Sequence, residues 1–333
     1  MSTHLPTAPI APPAPSAAPE EAAPEPGRRL TSSRSGRRLA YGLIAPAVVF
    51  MVLVHLVPTA GGVLLSLKNL NTFTFSQLFG APWNGLENYR AILLDSANPL
   101  HSGFVGAARN TAIYTAVSVG GTLAGGLGIA LLLNREFPGR RAVRTLMLAP
   151  YVVPSFVVGV LWAFMFQSDS GIINRILVDG TGILGHRPAW LLDHSLLAII
   201  VPTIWRGMPL AMLIFLAGLQ SLPRELYEAA SIDGAGPWQR FRYITVPLLR
   251  PLIAIQLLFG VIYSAYQFTI PVVMLGSNPG PDADLMMTLI VRQSFSNNLF
   301  GFGAAASTLL TLAMLVWVAV WFRAFRRDLE VTA

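Results

Sequence analysis

Six stretches of this 333-residue chain are apolar for long enough to cross a lipid bilayer, and that constraint precedes every other. About 20 helical residues at 1.5 Å rise span the roughly 30 Å hydrocarbon layer, where each backbone N–H and C=O must find its partner within its own segment. The runs lie at approximately 39–67, 111–133, 145–167, 196–219, 252–275 and 304–322. The fold class that follows is all-α, a polytopic membrane protein with six transmembrane helices. Composition agrees, because 53% of the residues are hydrophobic and only 12% are charged, too apolar a balance for an ordinary soluble domain.

An even number of crossings returns both termini to one side. Of the 23 basic residues, 16 fall in the N-terminal stretch, the 134–144 loop, the 220–250 segment and the C-terminal end. Lys68, Arg90, Arg109, Arg175, Arg187 and Arg292 fall in the other three loops, and Arg206 lies inside a run. The positive-inside rule then places both termini and the 220–250 segment in the cytoplasm. The net charge of +7 is thus a topological signal toward membrane lipid and no sign of a nucleic-acid partner.

Residues 1–38 differ in kind from the rest, with an Ala/Pro-rich stretch followed by Arg28, Arg29, Arg34, Arg37 and Arg38. They are expected to form a disordered tail with a basic end. The six-helix domain follows at 39–327 and a short tail at 328–333. A cleaved leader is the competing reading; the 39–67 run is too long for its apolar core and lacks a small-residue cleavage site. With no cysteine, disulfides and thiolate sites are excluded. His55 and His194 lack partners at ligand spacing, so no metal is expected. The glycines of GGTLAGGLG, 120–128, suit close helix packing, and Trp162 and Phe164 suit packing or lipid contact. No metalloprotease, serine-hydrolase or phosphate-loop motif occurs. A secondary transporter would carry ionisable coupling groups and repeated halves, which are not evident in the sequence.

Between the fourth and fifth runs stands the polar stretch LYEAASIDGAGPWQRFRYITVPLLRP, residues 226–251. PRELYEAASIDG is expected to form a short helix that sets Glu225, Glu228 and Ala229 on a shared face. The GAG triplet breaks it, and Pro237 suits the first position of a second short helix, PWQRFRYI. A single exposed glutamate is usually just solvated, and Gly234 alone would be an ordinary helix cap. Together they make a compact docking element.

The spacing Glu228, Ala229, Ala230, then Gly234, Ile244 and Pro247 resembles the EAA loop of permease subunits in binding-protein-dependent ABC importers. Val246 stands where that pattern has leucine. Further similarity, in GLENYRAIL, NTAIYTAVSV, APYVVPSFVVGVLW and LAGLQSLPRELYEAASIDGAGPWQRF, is to the maltose-permease-like carbohydrate branch and covers about 38–327. LGSNPGP, after the fifth run, departs from the usual family sequence there. The resemblance implies that this chain works in a bacterial inner membrane with a second permease subunit, two ATPase subunits and an extracytoplasmic solute-binding protein. It implies no cofactor in the chain itself, with ATP and Mg held on the partner ATPase subunits. Glu228, Ala229, Ala230, Asp233, Gly234, Ile244 and Pro247 would form the coupling element. The expected solute is a sugar or glycoconjugate; a glycerol phosphate ester or a polyamine is the alternative.

Arg206 lies about ten residues into its span, roughly 15 Å deep, where a charge costs at least about 2.5 kcal/mol. Pro202, Gly207 and Pro209 interrupt regular helix beside it, as a lined pathway tolerates. The family resemblance implies solute contacts from TIWRGMP, which points to Thr203, Arg206 and Gly207. From the fifth run, YSAYQF offers Tyr263, Tyr266 and Gln267 as hydrogen-bonding and ring-face groups. The plainer alternative is that Arg206 pairs with an acid on the partner subunit and only holds helices together.

Overall fold

The computed structural model describes residues 34–74 and 80–330; most of the expected N-terminal tail and the last three residues lie outside the described residues. Helix begins at Arg34, inside the basic end of that tail. The first apolar run is the helix α1, Tyr41–Ser66, 26 residues long. Contacts divide the chain into a unit ending at Val57 and a larger one beginning at Pro58, which carries everything described below.

In the larger unit α2 (Glu87–Leu93) precedes the 35-residue α3 (Pro99–Leu133). The second apolar run therefore extends twelve residues earlier than its hydropathy suggests. The cause is local: Pro99 fits the first helical turn, and the Asn98 side chain accepts the Leu100 N–H at 3.0 Å.

The third run is not the single span expected. It forms α4 (Arg140–Val152) and α5 (Ser155–Met165), bent by 97° at the break between them. Pro154 explains the break, because its ring pushes Val153 into extended backbone at φ −69°, ψ 128° and it has no N–H to continue the helix. The fourth run is α6, Ser195–Ser221, which keeps Pro202 and Pro209 in its interior.

Between the fourth and fifth runs lie α7 (Arg224–Ile232) and α8 (Pro237–Ala265). The second short helix expected from PWQRFRYI does not end before the fifth span; it runs on into it as one helix. A wide π turn at Phe241–Thr245 makes this continuity possible. In a regular turn the Pro247 ring would strike the Tyr243 carbonyl, and the wider turn opens that space. The chain closes with α9 (Thr269–Leu275), α10 (Met286–Val291) and α11 (Phe300–Glu330).

α3 crosses α6 in the most extensive contact between helices of the described chain. Glycines bring the backbones together there: a Cβ on Gly126 would sit 2.6 Å from the Ala211 Cβ, and one on Gly121 would sit 2.5 Å from Ile204 Cδ1. Gly120 and Gly128 turn elsewhere and would meet nothing within 4 Å. Around this crossing Tyr114, Val158, Ile199 and Ile270 form one buried cluster, and Ala130, Met212, Phe215 and Leu249 another. Trp162 joins the first through ring contacts with Phe166 and Trp205 at 5.5 and 5.8 Å, while Phe164 is exposed.

A third cluster, with Ile92, Leu289 and Phe302, lies beside a polar lock. Asp284 pairs with Arg292 and accepts from the Thr288 hydroxyl at 2.7 Å, in a site where the carboxylate is 8% exposed. Asn110 of α3 donates to the carbonyls of Pro281 and Asp284 at 2.7 and 3.2 Å. Thr111 accepts the Met286 N–H at 2.8 Å. The loop carrying LGSNPGP is thus tied to α3 by hydrogen bonds to its backbone.

Candidate functional site

A cavity of about 610 Å³ opens among α3, α6 and α8. Thr203, Arg206, Gly207, Leu210, Ala211 and Ile214 of α6 line it, at the offsets of one helical face. From α8 come Ile255, Gln256, Phe259, Gly260, Tyr263 and Ser264, again at helical spacing, with Gln267 just beyond the helix. Thr122 on α3 and Tyr151, just before the α4 break, complete the polar wall. Five of the expected residues therefore share one cavity: Thr203, Arg206, Gly207, Tyr263 and Gln267. Tyr266 does not line it, because α8 ends at Ala265 and the turn that follows carries Tyr266 off the wall.

Several of the polar groups are held by their neighbours. The Thr203 hydroxyl donates to the Ile199 carbonyl at 2.9 Å, which leaves its oxygen to accept from Tyr114 at 2.7 Å. Arg206 donates through Nε to the Val153 carbonyl at 3.4 Å, an acceptor freed by the break between α4 and α5. Gly207 lets α6 approach α3, since a Cβ there would come within 3.0 Å of Thr122 Cγ2. Gln267 accepts the Phe268 N–H at 3.1 Å. The Phe259 and Tyr263 rings lie 6.5 Å apart between centroids. Gln256 and Phe259 were missed by the sequence reading; their signal was there, seven and four positions before Tyr263 on the same helix.

Beyond the end of α6 the second candidate element is the hairpin of α7 and α8. Gly234 adopts the left-handed φ of +79°. Around it the Ala235 N–H bonds the Ala230 carbonyl at 2.8 Å and the Gly234 N–H bonds Ser231 at 3.2 Å, a Schellman cap. The Gln239 side chain then accepts the Gly236 N–H at 2.7 Å and starts α8. Two further bonds close the hairpin, Tyr227 to Thr245 at 2.9 Å and Arg240 to Ser231 at 2.8 Å.

Glu228 lines a cleft of about 680 Å³ together with Glu136, Arg140, Arg224, Tyr227 and Thr245. Ala229, Asp233, Gly234 and Pro247 are exposed, while Ala230 and Ile244 are half-buried. Three large apolar side chains that sequence reasoning passed over stand on the hairpin surface: Ile232 at 88%, Trp238 at 71% and Tyr243 at 74% exposure. Exposed apolar side chains of this kind mark candidate contact surfaces for a protein or the membrane interface.

The family described as binding-protein-dependent transport system inner membrane component matches residues 120–331. The sulfoquinovosyl glycerol transport system permease protein SmoG of Agrobacterium fabrum is 34% identical over 87% of this chain and 91% of its own length. The trehalose/maltose transport system permease protein MalF of Thermococcus litoralis is 33% identical, over 87% and 95%. A crystal structure of a bacterial ABC transporter involved in the import of the acidic polysaccharide alginate contains a chain of the same fold. It superposes with a TM-score of 0.68 at 22% identity, covering 88% of this chain and 96% of that one.

Proposed function

We propose, for a chain that belongs to the family of binding-protein-dependent transport system inner membrane components, that it forms one half of the pathway of an ATP-driven importer of a sugar or glycoconjugate. A second permease subunit supplies the other half. Two ATPase subunits that bind ATP and Mg dock on the α7–α8 hairpin, and an extracytoplasmic protein delivers the solute. Both termini and the hairpin face the cytoplasm, in keeping with the distribution of basic residues. The chain hydrolyses no ATP itself.

The observation that carries this reading is the shared cavity of Thr203, Arg206, Gly207, Tyr263 and Gln267. Hydroxyls, side-chain amides and two ring faces converge there inside apolar helices, the combination that orients a polyhydroxylated solute. Relatives named for sulfoquinovosyl glycerol and for trehalose and maltose support a sugar. Glu228, Ala229, Ala230, Asp233, Gly234, Ile244 and Pro247 serve the hairpin: Gly234 sets the bend, Ile244 and Pro247 seat it on α8, and the exposed members meet the ATPase.

The test is uptake and solute-stimulated ATP hydrolysis in proteoliposomes holding the whole complex. Gln267→Ala and Tyr263→Ala are expected to raise the half-saturating concentration of solute-loaded binding protein or to lower maximal uptake, with basal ATP hydrolysis unchanged. Normal uptake in both variants would remove the cavity from the pathway.

A further inference from the structure

The cavity holds a charge that no group among the described residues balances. Arg206 is the only ionic group among its lining residues, and no carboxylate of the chain falls within the helical stretches Tyr41–Ser66, Pro99–Leu133, Arg140–Val152, Ser155–Met165, Ser195–Ser221, Pro237–Ala265 or Phe300–Arg326. One guanidinium nitrogen, Nε, is spent on the Val153 carbonyl at 3.4 Å. Both terminal amino groups meet no protein acceptor among the described residues. Gln256 adds a second unused donor on the same wall, its buried Nε2 also lacking an acceptor. A guanidinium in a membrane interior needs an anion or a dense set of acceptors to offset its desolvation.

We infer, resting on the cavity as the solute pathway, that the transported solute is a sugar bearing an anionic substituent: a carboxylate, sulfonate or phosphate ester that engages Arg206. The planar guanidinium presents paired N–H groups matched to two oxygens of such a substituent. Gln256 donates to a further oxygen, and the faces of Phe259 and Tyr263 are left for the C–H side of the sugar ring. A cationic solute such as a polyamine is excluded from this wall, because it would meet a like charge with no carboxylate to receive its ammonium groups.

The experiment uses the complete complex of both permeases and both ATPases in lipid nanodiscs, without the binding protein, so that the delivery protein's own selectivity does not intervene. Equilibrium binding is measured for two probes of matched shape, methyl glucuronide and methyl glucoside, and for inorganic sulfate. Methyl glucuronide is expected to bind roughly tenfold or more tighter than methyl glucoside, the scale of one charge-assisted contact, with that preference shrinking as salt is raised. Arg206→Gln should erase the preference, bringing the glucuronide affinity down to about that of the glucoside, while Arg206→Lys should keep part of it. Equal binding of the two sugars, or an unchanged ratio in Arg206→Gln, overturns the inference and leaves the cavity as the pathway; Arg206 then finds its counter-ion on the partner permease. Sulfate binding as tightly as the glucuronide would reduce the site to an anion site and overturn the sugar requirement. Binding of no probe overturns the cavity as a solute site as well. Should Arg206→Gln complexes fail to assemble, the wild-type preference alone decides.

Discussion

Replacing Gly234 tests the hairpin with little interference from packing. A Cβ at this position would meet nothing within 4 Å, so a new side chain clashes with no neighbour in this chain. What it does meet is backbone strain, because φ is +79°. The left-handed conformation costs an L-residue roughly 1–2 kcal/mol, which corresponds to about a 5- to 30-fold loss in the population of the bent form. Valine, branched at Cβ, stands at or above the top of that range, alanine inside it, and asparagine near the bottom. Relief of the strain requires giving up the Ala235–Ala230 and Gly234–Ser231 hydrogen bonds, which splays α7 from α8. In proteoliposomes carrying the full complex, uptake is expected to fall in the order glycine, asparagine, alanine, valine, with Gly234→Val reduced about tenfold or more. Solute capture by the isolated binding protein should not change. Near-normal uptake in Gly234→Val refutes the argument. Asparagine as damaging as valine also refutes it, since side-chain size at the ATPase surface and not backbone geometry would then be the cause.

Gly126→Val forces α3 away from Ala211 at the α3–α6 crossing and should cost about 1–3 kcal/mol, seen as a lower unfolding temperature in detergent. Asp284→Leu removes a buried carboxylate and strands the half-buried Arg292, and is expected to cost about 3–5 kcal/mol, whereas Asp284→Leu combined with Arg292→Met recovers most of it; chemical denaturation followed by tryptophan fluorescence reads both. Deletion of residues 2–26 should leave insertion and transport unchanged, because Arg28, Arg29, Arg34, Arg37 and Arg38 remain to fix orientation; uptake in intact cells is the measure.

Spans and hairpin were legible in the sequence because apolar length and glycine placement are local properties. Span ends were not, since caps decide them: Asn98 and Pro99 start α3 well before hydropathy rises. Pro150 and Pro154 were visible in the third run, yet hydropathy sums composition and passes straight through the 97° bend. Periodicity put Thr203, Arg206 and Gly207 on one helical face, and within the continuous helix α6 all three line the cavity. The same count failed for Tyr266, one residue past the end of α8. The Asp284 lock was beyond reach, as its anchor Asn110 lies 174 positions away and nothing near either residue announces the other.

The continuity of α8 has a mechanical consequence. From Pro237 at the hairpin to Tyr263 on the cavity wall runs a single rod about 39 Å long at 1.5 Å per residue. By simple geometry a tilt of about 5° over that length displaces one end by roughly 3 Å relative to the other, enough to open or close the gap a hydrogen bond spans. Two separate helices joined by a slack connector would absorb such a tilt at the joint. Here the irregularities along the rod are the π turn at Phe241–Thr245 and Pro251, and both precede the cavity residues. Compliance is therefore concentrated between the hairpin and the cavity, and the length beyond Pro251 moves its cavity residues Gln256, Phe259 and Tyr263 together as one beam.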